Sequence, residues 1–88
     1  MISFKEISST PDEKVLLVVG AQNEFELVPA EYEYLAKIFG PRDTAWKLDI
    51  QELISKDGRK FDTLHIVLSD GSKKTVSFDI TDSFGKIE

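Results

Sequence analysis

Three stretches in the second half of the chain alternate apolar and polar residues with a period of two: Trp46, Leu48 and Ile50; Leu64, Ile66 and Leu68; and Val76 with Phe78. That period marks half-buried strands, whose successive side chains point to opposite faces. Near-matching turn signals separate them, Lys56-Asp57-Gly58-Arg59-Lys60 and Ser69-Asp70-Gly71-Ser72-Lys73. Asp and Gly tolerate the positive φ that a hairpin reversal demands, so the segment predicts a three-stranded meander.

The pattern carries a register. If Lys56, Asp57 and Gly58 form a three-residue loop with Gly58 left-handed, Ile50 faces Leu64, Leu48 faces Ile66 and Trp46 faces Leu68. Opposed residues share a face, so one face becomes apolar, and a slip of one residue would set these groups against Asp49, Gln51 and Lys47. At the second turn, a loop centred on Gly71 pairs Leu64 with Phe78, and one centred on Asp70 pairs Leu64 with Val76; both keep the same faces. Trp46, Ile50, Leu53 and Ile54 also fit a helical spacing, but Leu48 breaks it and the strand accommodates it.

In the first half, Ile2 to Ile7 reads as a short strand ended by Ser8-Ser9-Thr10-Pro11-Asp12. Lys14 to Val19 reads as a strand buried on both faces, and Gly20-Ala21-Gln22-Asn23 as a turn into a third strand, Glu24 to Val28. Pro29 opens a helix, where its missing N–H costs nothing, and Gly40-Pro41 closes it. Glu31 and Glu33 complement the positive end of the helix dipole. The expected fold is one α+β domain over residues 1–88, a single helix on a largely antiparallel sheet, in the order β-β-β-α-β-β-β.

On that helix Tyr32, Leu35, Ala36 and Phe39 fall on the side that must cover the sheet. Tyr34 and Ile38 lie nearly opposite, between Glu31 and Lys37, and read either as packed under a flanking segment or as a partner-binding ridge. The run from Phe25 to Leu35, Phe-Glu-Leu-Val-Pro-Ala-Glu-Tyr-Glu-Tyr-Leu, resembles the entry to the first helix of OmpR-type winged-helix DNA-binding domains. Val28 stands where that family favours threonine, and no second or recognition helix can be read between Pro41 and Ile80. No DNA-contacting role is therefore carried over.

Composition narrows the classes further. The chain has 88 residues, 41% of them apolar, and no cysteine, so a core is within reach while disulfides and thiolate metal sites are excluded. The longest aliphatic run, Val15 to Val19, is too short for a membrane span, and the first six residues lack a signal-peptide layout. A cytoplasmic protein is the expectation. The net charge of −5 argues against nucleic acid, whose binding rests on cations meeting phosphates. The acidity lies in residues 1–44, with four basic and eight acidic side chains; residues 45–88 carry seven and eight.

Candidate chemistry is thin. The single histidine, His65, falls on the polar face opposite Asp49 and, in one form of the second turn, opposite Ser77. A Ser77–His65–Asp49 chain is conceivable, but an open sheet face has no enclosing pocket. Asp57-Gly58 and Asp70-Gly71 lack the further oxygen ligands of calcium loops, and no phosphate-binding glycine loop follows Gly20. No catalytic residue, metal ligand or cofactor is therefore assigned. The leading expectation is a non-catalytic protein acting on a protein partner or on a second copy of itself, through the Tyr34/Ile38 ridge or an unpaired sheet edge. The alternative is a small-ligand module with a cleft between helix and sheet, lined by Trp46 and the tyrosines.

Overall fold

The computed structural model describes residues 2–22 and 24–83. Strands β1 (Ser3–Ser9) and β2 (Glu13–Val19) form a hairpin. A 3₁₀ turn at Glu24–Glu26 runs into helix α1 (Leu27–Phe39), and the meander follows as β3 (Trp46–Lys56), β4 (Arg59–Leu68) and β5 (Lys73–Asp79). The strands lie in the order β1-β2-β5-β4-β3. β2 runs parallel to β5 while the other neighbours are antiparallel, so the sheet is mixed.

Two expectations are corrected. The third strand, Glu24 to Val28, is absent: those residues make the 3₁₀ turn and the first turn of the helix, giving the order β-β-α-β-β-β. Pro29 sits as the third helical residue, still within the turn that needs no N–H donor. Asn23, which completes the expected turn after Gly20, lies outside the described residues. β2 is buried on one face only; Leu16 and Val18 point to the core, and Val15 and Leu17 are half-buried on the other side.

The core lies between α1 and one face of the sheet. It gathers Leu27 and Leu35 of the helix with Leu16, Val18, Trp46, Leu64, Ile66, Val76 and Phe78, each at most 4% exposed. The central line of the helix is thus Leu27, Glu31 and Leu35, not the stripe through Ala36, which is exposed. Tyr34 is on the sheet side as well, with its ring centroid 4.8 Å from Phe4 and 6.0 Å from Phe78. Gly40 ends the helix at φ 103°, its N–H donating to the Ala36 carbonyl, and a Cβ there would stand 2.9 Å from that of Ala45. Only glycine meets both demands.

The two Asp-Gly turns differ in a way that sets the register. At the first, Lys56 pairs with Arg59 across a two-residue loop, with Asp57 at φ 52° and Gly58 at φ 78°. Positive φ at both central residues is the mirror-image turn whose twist matches the flanking strands. At the second, the Gly71 N–H donates to the Leu68 carbonyl and the Leu68 N–H to that of Ser72, a three-residue loop centred on Asp70 that sets Leu64 opposite Val76. The expected three-residue first loop is thus one residue too long. The pairs Trp46–Leu68 and Leu48–Ile66 nevertheless form, because a bulge at Asp49 absorbs the difference. Beyond the bulge Ile50 faces His65 and Gln51 faces Leu64, so Ile50 leaves the core face and is 52% exposed.

This register predicts an asymmetry between deletions. Removing Asp49 deletes the extra residue and leaves every other pairing and both faces intact, so the variant is expected to fold. Removing Glu52 breaks the regular ladder and swaps the faces of its neighbours. Circular dichroism and thermal melting check this: equal losses for both deletions would contradict the bulge.

Candidate functional site

The bulge does two things to β3. It turns Gln51 to the helix side of the sheet, and it sends Ile50 and Ile54 to the face that the helix does not cover. There the Gln51 amide donates to both Asp62 oxygens at 3.0 and 3.1 Å, and the Tyr32 hydroxyl donates to the Gln51 side-chain carbonyl oxygen at 3.4 Å. Tyr32 in turn stacks on Trp46 at 6.3 Å and carries Arg42 4.4 Å above its ring. Trp46 is 1% exposed, its indole N–H donating to the Gly40 carbonyl at 2.8 Å. Tyr32, Trp46 and Arg42 thus stack on one another, while Tyr34, the other tyrosine, packs on Phe4 and Phe78.

Beside this chain lies Glu31, 1% exposed, both of whose oxygens lack a partner at hydrogen-bond distance. It was assigned to the helix dipole on its position in sequence; in space it occupies the core line between Leu27 and Leu35. Burial first, and then the neighbouring Asp62 carboxyl, push its pKa up to about 10. A neutral acid beside a second carboxyl is a proton-transfer pair in form. It is sealed under the helix, where its ionisation bears on stability.

The uncovered face carries a polar ladder. His65 Nε2 lies 2.8 Å from Glu52 and Nδ1 3.2 Å from the Thr75 hydroxyl, while Thr63 and Ser77 hydroxyls meet at 3.0 Å. The Ser77–His65–Asp49 chain is therefore not assembled: Ser77 is bound to Thr63, and the bulge removes Asp49 from the ladder. On this face the His65 and Glu52 side chains are 35% and 52% exposed, while Thr63 is buried. At the far end, burial alone would raise the Asp79 carboxyl, but Arg59 at 2.5 Å and two bonds from Thr81 hold it below its ordinary value. Among the described residues no three metal-ligating side chains gather.

Among the described residues two surface features stand out. The first is the free edge of β3, where every residue from Asp49 to Lys56 is exposed and Ile50, Leu53 and Ile54 stand 52, 57 and 38% exposed. β1, the other edge, presents Lys5 and Glu6, and its exposed Ile7 falls at a bulge between Glu6 and Ser8 that interrupts the ladder. The second is a groove of about 770 Å³ beside the helix, lined by Ile2, Phe4, Glu26, Glu33, Tyr34 and Lys37. The Tyr34/Ile38 ridge is split: Tyr34 is half-buried on Phe4 and Phe78, and Ile38 stays 44% exposed.

Comparison with protein-family models, curated proteins and solved structures finds no match to this chain. The winged-helix resemblance stops at the helix entry, where the structure has a 3₁₀ turn in place of a strand, and among the described residues α1 is the only α-helix.

Glu31 makes stability depend on pH with a defined sign. An acid held protonated in the folded state and titrating near 4.5 when unfolded stabilises less as pH rises from about 4.5 to about 10. Glu31→Leu, placed between two core leucines, is expected to be the more stable protein at pH 8, with the advantage shrinking by up to about 1.4 kcal/mol per unit as pH falls towards 5. Urea unfolding at several pH values measures it; a constant difference would show that Glu31 titrates alike in both states.

Proposed function

We propose that this chain is a non-catalytic binding protein that docks another protein along the free edge of β3. The observation that carries this reading is the triplet Ile50, Leu53 and Ile54, left exposed on both faces of an unpaired strand. A free edge presents a row of unpaired backbone donors and acceptors, and natural sheets blunt such rows with charges and bulges. β1 is blunted in this way; β3 beyond Asp49 is a regular run with apolar side chains on it. An added strand would take main-chain hydrogen bonds from the edge and side-chain contacts from the three apolar residues. Ile38 is a single exposed group with its neighbour Tyr34 withdrawn, and ranks below the edge as a docking point.

The groove beside the helix supports a second reading, a small-ligand module. Its volume falls within the range of ligand pockets, and Phe4 and Tyr34 give it an apolar floor under the charged Glu33 and Lys37. A rise in melting temperature with a particular metabolite class would favour it.

The double variant Ile50→Lys with Leu53→Lys is expected to keep stability within about 0.5 kcal/mol per site, since both side chains are exposed. It should lose the partner that the native protein retains in extracts of its source cell. Retention of the same partner by the variant would remove the edge from the binding surface.

A further inference from the structure

Building on the edge reading, we infer that the occupant of the β3 edge is a second copy of this chain, paired antiparallel about a two-fold axis through Leu53.

The edge itself is the argument. The bulge interrupts the strand at Asp49, and the regular ladder runs from Ile50 to Lys56, where the turn begins. The midpoint of that run is Leu53, the most exposed apolar side chain on the strand at 57%. Across the two-residue loop Lys56 and Arg59 form a hydrogen-bonded pair, so the even-numbered residues of β3 turn their backbone groups towards β4. Gln51, Leu53 and Ser55 turn theirs outwards. An antiparallel copy that sets Leu53 on Leu53 also sets Gln51 on Ser55, so the outward backbone groups of all three residues find partners.

Side chains agree with that register. Opposed residues share a face, and the pairs are Ile50 with Lys56 and Glu52 with Ile54 on the uncovered face, and Leu53 with Leu53 on the helix face. Between Ile50 and Lys56 no like charges stand directly opposite. Shifting the copy by two residues one way puts Glu52 against Glu52, and shifting it the other way sets Leu53 against Ser55 and Gln51 against Asp57 of the turn, past the end of the ladder. A slip by one residue joins the uncovered face of one copy to the helix face of the other. The symmetry is closed, so the product is a dimer with one continuous sheet and not a fibre. β1 offers no equivalent run, because its ladder is broken between Glu6 and Ser8.

Sedimentation of the full chain over a roughly hundredfold concentration range tests this, since mass action makes a weak dimer concentration-dependent. The mass is expected to rise from 9.9 kDa towards twice that value. Leu53→Glu and Leu53→Lys, each with an unchanged melting curve, should weaken association at least about tenfold by setting like charges face to face. An equimolar mixture of the two should recover the dimer, because only a residue that faces its own copy pairs opposite charges on mixing. The chain has no cysteine, so Leu53→Cys should give one disulfide-linked dimer under oxidising conditions. A chain monomeric throughout, a dimer indifferent to Leu53, or a mixture that fails to recover would overturn the inference. If the chain is monomeric but Leu53→Lys still abolishes capture of a different protein, the second copy is excluded while the edge reading stands. If Leu53→Lys changes neither, both fall.

Discussion

The fold turns on a conflict between two local demands on β3. The Asp57-Gly58 turn closes most favourably with two residues, which fixes the pairing at the tip of the hairpin. The apolar residues at the base, Trp46 and Leu48, must face the helix, and they are one residue out of step with that tip. A bulge at Asp49 satisfies both. Its consequences reach most of what is distinctive here: Gln51 turns to the helix side to bind Asp62, Asp49 drops out of the ladder beside His65, and Ile50 with Ile54 moves to the uncovered face. A bulge re-aims side chains without altering the topology, which is why such irregularities accompany sites more often than random position would suggest.

The meander was legible in the sequence because alternation and turn residues point the same way there. Trp46, Leu48, Leu64, Ile66, Val76 and Phe78 all reach the core. Ile50 does not, since alternation cannot register an inserted residue; a two-residue reading of Asp57-Gly58 combined with the apolar base would have exposed the mismatch. Glu24 to Val28 was misread because a strand-like alternation over five residues is also the start of an amphipathic helix, and Leu27 belongs to the helix's buried line. The burial of Glu31 is not legible because a charged residue near a helix start has an ordinary electrostatic explanation. Its spacing of four from both Leu27 and Leu35 was the available signal.

The polar interior and the apolar edge are two departures from the pattern that would maximise the stability of a lone domain. A leucine at position 31 would remove an unpartnered carboxyl from beneath the helix, and a charged residue at 53 would blunt the edge. Natural chains sit near a stability threshold and hold such departures where something other than stability is served. For the edge, the contrast with β1 indicates which residues are under that second demand. For Glu31 the structure shows a cost and a pH dependence, with the Asp62 carboxyl as its neighbour.

The parallel ladder between β2 and β5 has a consequence of a different kind. It joins Glu13–Leu17 to Thr75–Asp79, so among the described residues the β1–β2 hairpin joins the rest of the sheet only through β5. The two antiparallel hairpins and the helix are local and close over short loops, whereas this ladder must close a loop of about sixty residues before it gains a single contact. During synthesis the first half emerges with Leu16, Val18 and Leu35 already made but no sheet centre to cover them. Joining the two halves through β5 therefore carries a loop-closure cost that neither hairpin meets, the kind of non-local pairing that slows folding.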